Sequence, residues 1–292
     1  MSMYKSSLVL VIDANKRSWS NDGVSDNKLT FIQFVSSLKR FIRAYHCMSS
    51  GRTLYIIATN TIYCKIIFHG LTDSTLIPTT TNSNTTSMDS TLDSMEESLL
   101  KFISEDLPDA NPQPTLSSNL NRIGHKENLS REILLLDYST NDMYLKQHIP
   151  LLNIGFSALN MKIPINTLTL GKSHSKLLEQ LSDITKGTFL RLMDMYGNDS
   201  INIEYALFQT LLFWFLASND SKNILSPPSL TQISNSAVCY CHNNTIEIGY
   251  LCSSCLTVYC TDKSLIMCKI CSSRFAKRPL KAKPICEINL EH

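Results

Sequence analysis

Two rhythms of apolar residues alternate along this chain. The first is a short unbroken run. Leu8, Val9, Leu10, Val11 and Ile12 follow one another and stop at Asp13, which predicts a strand buried on both faces. Asn15, Asn21, Asp22 and Gly23 then read as loop. The second rhythm has a spacing of three and four. Phe31, Phe34, Val35, Leu38, Phe41, Ile42 and Tyr45 repeat this way, with Lys39, Arg40 and Arg43 off the apolar face; an amphipathic helix is predicted. Thr30 or Asn27 can cap its start, and Gly51 lies past its end. Residues 53–58 and 63–68 are predicted as two strands of a hairpin.

Residues 72–98 differ in kind. Fourteen of these 27 are Ser or Thr, with no aromatic side chain among them. Little there can offset the entropy of ordering, so a flexible insertion is expected, with a helix resuming within 92–103. A second loop is read over 108–127. Residues 133–136 form a continuous apolar strand that stops at Asp137. A helix over 142–160 must begin or kink at Pro150. Residues 163–170 are read as a strand. Residues 175–185 are read as a helix with Leu177, Leu178, Leu181 and Ile184 on one face, ended by Lys186-Gly187. A short strand over 188–192 and a heavily apolar helix over 205–217 follow.

Strands and helices alternate throughout. The predicted fold is therefore α/β, a mostly parallel sheet with helices on both faces. In such a sheet the ligand site lies beyond the C-terminal strand ends, where Asp13 and Asp137 stand. Residues 219–235 hold Pro227-Pro228 among polar residues and read as a linker. The 292 residues then divide into an α/β domain over 1–218, the linker, a small cysteine-rich module over 236–278 and a basic tail over 279–292.

Hydrophobic residues make up 43% of the chain and charged residues 18%, enough to build a core. The formal charge is only +2, which argues against binding nucleic acid or membrane by bulk charge. The excess lies at the end: residues 236–292 carry seven Lys/Arg and four Asp/Glu, a local +3. The apolar runs 8–12 and 206–217 are too short for a secretion signal or a bilayer span. An intracellular chain is expected.

Cysteine changes the picture most. Eight of the ten cysteines follow residue 238, and clustered cysteines in an intracellular chain usually hold metal. Cys252-Ser-Ser-Cys255 is followed after twelve residues by Cys268-Lys-Ile-Cys271. Two such knuckles supply four thiolates for a tetrahedral Zn²⁺ site, so Cys252, Cys255, Cys268 and Cys271 are the candidate metal ligands. A module this small, with few large apolar residues, would draw much of its folding free energy from the metal, on the order of 10 kcal/mol. Cys239, Cys241, His242 and Cys260 remain. They form either a second site in a RING-like cross-brace or buried thiols packing a small core. The position that would complete a knuckle with Cys260 is Lys263. Arg274, Lys277, Arg278, Lys281 and Lys283 place five cations in ten residues. They read either as a phosphate-contacting strip or as a solvated tail, and Tyr259 and Phe275 are too few aromatics for single-strand binding.

Two segments carry a family resemblance. Phe156-Ser-Ala-Leu and the run from Leu177-Leu-Glu-Gln-Leu-Ser-Asp-Ile-Thr to Phe189-Leu-Arg-Leu192 resemble the end of a von Willebrand factor A-type domain. The tail from Cys239-Tyr-Cys-His to Cys252-Ser-Ser-Cys and Cys260 is more specific. It resembles the smaller von Willebrand A plus C4 zinc-finger subunits of general transcription and DNA-repair factor IIH (TFIIH). The resemblance implies a nuclear, non-catalytic core subunit of that complex. Its A-type domain would dock on the zinc-bearing C-terminal part of a larger A-type, RING-like subunit. Together they would scaffold the helicases that open DNA in transcription initiation and nucleotide excision repair. It implies contact with DNA only through the complex, no membrane and no small-molecule substrate.

Adhesion relatives of A-type domains hold Mg²⁺ with Asp-x-Ser-x-Ser after the first strand. This chain has Asp13-Ala14-Asn15-Lys16-Arg17. Asn15 can still donate a carbonyl oxygen, but Arg17 replaces the second hydroxyl and with Lys16 places two cations close by, whose repulsion costs roughly 1–4 kcal/mol, so no working Mg²⁺ site is expected. Asp13 is read instead as ordering its own loop, and Asp137 likewise. Enzyme motifs are missing: Gly171-Lys172-Ser173 lacks the earlier glycine of a phosphate loop, the position being Asn166. His46 and His174 sit at helix edges and read as structural. Two alternatives to the structural subunit are a RING-type ubiquitin ligase and a zinc-dependent DNA-binding module.

Overall fold

The computed structural model describes residues 6–19, 29–48, 52–60, 64–71, 88–104, 130–138, 147–171, 175–196, 202–216, 237, 239–242, 246–260 and 266–275. They fall into two compact units, Met1–Ser234 and Asn235–His292.

The first unit is built on a six-stranded sheet. Its strands are β1 (Ser6–Asp13), β2 (Thr53–Thr59), β3 (Cys64–Leu71), β4 (Ser130–Asp137), β5 (Ile165–Thr169) and β6 (Phe189–Arg191), in the order β3-β2-β1-β4-β5-β6. All neighbours run parallel except β3, which pairs antiparallel with β2 at the edge. The predicted hairpin is therefore the β2–β3 pair. Helices α1 (Lys16–Trp19), α2 (Phe31–Met48), α3 (Met88–Ser104), α4 (His148–Asn160), α5 (Lys176–Ile184), α6 (Leu192–Tyr196) and α7 (Ile203–Thr210) complete the unit.

Strand geometry explains why the apolar runs are unbroken. Successive side chains point to opposite faces, and both faces are covered. Leu8, Leu10 and Ile12 meet Phe34, Leu38 and Phe41 of α2, Leu99 of α3 and Leu207 of α7. Val9 and Val11 meet Leu151 and Ile154 of α4 with Leu178 and Leu181 of α5. This is the mostly parallel sheet with helices on both faces expected above.

Helix ends follow their local chemistry. Thr30 caps α2 in a capping box: its Oγ1 accepts from Gln33 N–H at 3.3 Å, and its own N–H donates to Gln33 Oε1 at 3.0 Å. Ser175 caps α5 and accepts from Leu178 N–H. At the other end of α5, Lys186 has φ 58° and Gly187 follows. A Cβ on Gly187 would lie 2.0 Å from the Ile165 carbonyl oxygen, so the chain reaches β6 only with glycine there. Leu177 and Ile184 are half-buried, while Glu179 and Ser182 are buried beside Leu178 and Leu181. The inward face of α5 is thus rotated from the apolar stripe read off the sequence. Ser182 donates to Thr167 Oγ1 at 2.9 Å, which places a polar pair under the helix.

One expectation is corrected. The insertion expected over 72–98 does not extend to residue 98, because α3 begins at Met88. Its serines and threonines lie among Leu92, Met95, Leu99 and Phe102, all buried. Spacing of three and four outweighs Ser/Thr content when the apolar face has a sheet to cover. Ion pairs tie α3 to α2, Lys39 to Asp93 and Glu96 and Arg43 to Asp89. Residues 72–87, the loop read over 108–127 and the linker at 219–235 lie outside the described residues. So do 142–146, and the helix described there starts at His148 with Pro150 in its first turn, where its missing N–H is harmless. The last helix, α7, passes into a π-helical turn at Leu211–Phe215. No helix among the described residues is long and apolar enough to cross a membrane.

The second unit is small. It contains a two-stranded antiparallel pair, β7 (Tyr250–Leu251) with β8 (Val258–Tyr259). Tyr259 is fully buried and packs edge-on against Tyr240 and Phe275.

Candidate metal centre

Each CxxC segment folds into the same tight knuckle. Leu256 N–H donates to Cys252 O at 2.9 Å, and Cys252 N–H donates to Thr257 O at 2.9 Å. Sixteen residues on, Ser272 N–H donates to Cys268 O at 3.0 Å, and Cys268 N–H to Ser273 O at 2.8 Å. The residue after the second cysteine takes φ 59° in both, as Leu256 and as Ser272. That left-handed residue reverses the chain and aims both sulfurs of a knuckle inward. Neither is glycine, so each turn carries a strain of about 1–2 kcal/mol that the rest of the knuckle holds in place.

The knuckles face each other. Cys252 Sγ lies 3.6 Å from Cys271 Sγ, and Cys255 Sγ lies 3.6 Å from Cys268 Sγ. All four sulfurs fall within 4.8 Å of one another. A tetrahedral ion with metal–sulfur bonds of about 2.3 Å has sulfur–sulfur edges of about 3.8 Å. The four candidates named by spacing are thus brought together in a cluster that can hold a metal ion, with Cys252, Cys255 and Cys268 buried.

Neighbouring groups tune the sulfurs. Burial pushes the Cys255 thiol up to about 12. Burial also acts on Cys268, but the N–H groups of Cys271 and Ile270 and the Tyr259 hydroxyl outweigh it and hold that thiol at about 6. Tyr259 Oη lies 3.1 Å from Cys268 Sγ and accepts from Lys269 N–H at 3.0 Å. Thr257 Oγ1 lies 3.0 Å from Cys255 Sγ, and Ser273 Oγ lies 2.9 Å from Cys271 Sγ. These three hydroxyls were not singled out by spacing. A signal was present, since a hydroxyl residue stands two places after the second cysteine of each knuckle.

Cys239, His242 and Cys260 form another group, their ligand atoms also within 4.8 Å of one another. Of the five cations in the basic strip, Arg274 is exposed, and Lys277, Arg278, Lys281 and Lys283 lie outside the described residues. His46 sits in the last turn of α2, where burial lowers its affinity for a proton. His174 lies outside the described residues.

In the first unit, Asp13 and Asp137 stand at the ends of the adjacent strands β1 and β4. Connections leave these strands in opposite directions, so this is the switch point of the sheet. Asp13 Oδ1 accepts from Asn15 N–H at 3.3 Å, and the Tyr138 N–H also reaches its carboxylate. Trp19 Nε1 donates to Asp13 O at 2.9 Å and its ring stacks on Tyr138 at 4.2 Å, roofing the strand ends. Burial, then the charge of Asp137, pushes the Asp13 carboxyl up to about 8. At that value it carries a proton at neutral pH.

Comparison with known proteins places this geometry. The family model described as Transcription factor Tfb4 matches residues 5–272. The TFB4 subunit of general transcription and DNA repair factor IIH from Arabidopsis thaliana is 29% identical over 293 residues, covering 94% of this chain and 90% of that protein. The tfb4 subunit from Schizosaccharomyces pombe is 23% identical over 286 residues, covering 94% and 91%. Among solved structures, the TFIIH p34 N-terminal domain is similar with a TM-score of 0.49 and 22% identity, covering 72% of this chain and 97% of that one. Sheet unit and four-cysteine cluster both lie within the matched span, and the chain belongs to the Tfb4 family of transcription factors.

Proposed function

We propose that this chain is a non-catalytic, structural subunit of a nuclear TFIIH core complex, acting in RNA polymerase II transcription initiation and nucleotide excision repair. The observation that carries this reading is the family match across residues 5–272, because it spans both units rather than the sheet alone. Named subunits of that factor align along nine-tenths of both chains. The domain division goes with it: an A-type domain over 1–218, a linker over 219–235, a zinc module over 236–278 and a basic tail over 279–292.

Zn²⁺ is the ion we assign to Cys252, Cys255, Cys268 and Cys271. Four sulfurs at tetrahedral spacing suit zinc, and a closed set of four protein ligands leaves no open position for substrate chemistry. Its role is to hold the two knuckles together. The switch point is put to a structural use as well. Trp19 donates to the Asp13 carbonyl and stacks on Tyr138, so the strand ends serve as a packing surface.

The partner is a larger A-type, RING-like subunit whose zinc-bearing C-terminal part meets the A-type domain, and the pair scaffolds the helicases. Exposed apolar side chains support docking: Phe156 and Leu159 project from α4 one turn apart, and Tyr205 and Phe213 lie exposed on and after α7. The test is purification of the tagged chain from nuclei of its own cells. Helicases and the larger A-type subunit should co-purify in equal amounts. Recovery of the chain alone, or chiefly with ubiquitin-conjugating enzymes, overturns the proposal.

A further inference from the structure

The small unit holds a second set of metal-ligand side chains, built by different elements from the first. Tyr240 N–H donates to Val258 O at 2.8 Å, which lays the 239–242 segment beside β8. β8 runs directly into Cys260. Gly249 makes room on the hairpin, since a Cβ there would lie 2.6 Å from the Tyr259 carbonyl oxygen. The outcome is a convergence on one imidazole nitrogen. His242 Nδ1 lies 3.8 Å from Cys239 Sγ and 3.4 Å from Cys260 Sγ. These three ligand atoms lie within 4.8 Å of one another, and Cys241 stands outside that group, next to His242 in the chain and half-buried.

We infer that Cys239, His242 and Cys260 form a second Zn²⁺ site, with Cys241 from the same segment turning in as the fourth donor, of the three-sulfur, one-nitrogen kind. A tetrahedral zinc with bonds of about 2.3 Å to sulfur and about 2.05 Å to nitrogen has sulfur–nitrogen edges of about 3.6 Å. The two observed edges bracket that value. Hydrogen bonding alone accounts for them poorly, because Nδ1 offers one donor or acceptor position and two sulfurs approach it. A cation between the three atoms satisfies both contacts at once. Nor is this the pattern of thiols filling a core. Cys239 is buried, but Cys241 and Cys260 are half-buried and His242 is exposed, whereas packing cysteines are among the most buried of side chains.

The two sets interleave along the chain: 239–242 pairs with 260 across the first knuckle, and 252–255 pairs with 268–271 across Cys260. Tyr259 separates them in space, with its ring against Tyr240 and its hydroxyl on Cys268. This inference shares a module with the zinc reading of the first quartet, yet the two can fail separately.

Native mass spectrometry of the zinc-loaded full chain tests it. Two zinc ions per chain are expected. Cys260→Ser and His242→Ala should each leave one, His242→Cys should keep two, and Cys268→Ser should leave one. One ion in the unsubstituted chain that Cys268→Ser removes overturns the second site alone; no ion at all overturns both. Two ions that survive Cys260→Ser and His242→Ala overturn it equally. Should a serine variant lose both ions through collapse of the unit, ¹¹³Cd NMR of the cadmium-loaded chain decides. The expected spectrum has one four-sulfur and one three-sulfur, one-nitrogen resonance, the latter moving to the four-sulfur range in His242→Cys. Two four-sulfur resonances in the unsubstituted chain overturn the assignment.

Discussion

Tyr259 does two jobs with one oxygen. It donates toward Cys268 Sγ and accepts from Lys269 N–H at the heart of the small unit. Tyr259→Phe removes both and leaves a backbone donor without its acceptor, at a cost of about 1–3 kcal/mol. In chelator competition the variant should lose zinc at roughly ten- to hundredfold lower chelator concentration, while keeping its zinc count. Asp13 carries a different prediction. Its folded-state value of about 8 lies above the ordinary 3.8, so the folded chain holds a proton that the unfolded chain has released at neutral pH. That contribution is complete below about pH 4 and fades as pH rises through 8. Urea midpoints of the sheet unit should therefore fall between pH 5 and pH 9, and Asp13→Asn, which cannot ionise, should flatten the fall. At this scale the four-cysteine cluster was legible from spacing alone, because a CxxC knuckle is a local structure. Tyr259 was not, because its contact with Cys268 exists only once β8 lies against the second knuckle.

α3 shows how an element can hide in composition. Ser and Thr fill the window that contains its start, yet Leu92, Met95, Leu99 and Phe102 keep the helical spacing and are buried against the sheet. Leu99→Ala should cost about 2–5 kcal/mol, a loss comparable with other buried leucines, read as a lowered urea midpoint of the first unit. A loss of a few tenths of a kcal/mol would place α3 outside the core. The longer strands and α2 were readable from the sequence because their patterns repeat over whole elements, and Thr30, one of two cap candidates, does cap α2. The start of α3 was missed because a compositional average has no phase. The inward face of α5 was misjudged for a related reason. Ser182 and Glu179 are buried through partners, Thr167 and Lys176, that lie off the hydrophobic pattern.

The molecule as a whole consists of two units with different means of support. The first rests on apolar packing across both faces of a sheet. The second has a short hairpin, one buried tyrosine and its sulfurs. Cys255→Ser should therefore release zinc from the quartet and disorder the two knuckles it joins, while circular dichroism and urea unfolding of the first unit stay within experimental scatter. Collapse of the first unit as well would show that the sheet unit depends on the module. Acidification should act in the same direction as the mutation, because Cys255, held at about 12 without metal, must give up its proton to bind.

The interleaved order of the two sulfur sets has a consequence during synthesis. A nascent chain that has emerged from the ribosome as far as residue 262 already carries every donor of the upstream set, but only Cys252 and Cys255 of the downstream one. The upstream donors can close first, around a loop that still contains an open, metal-hungry knuckle. The last two thiols, arriving at 268 and 271, would then lock a loop whose ends had already been tied.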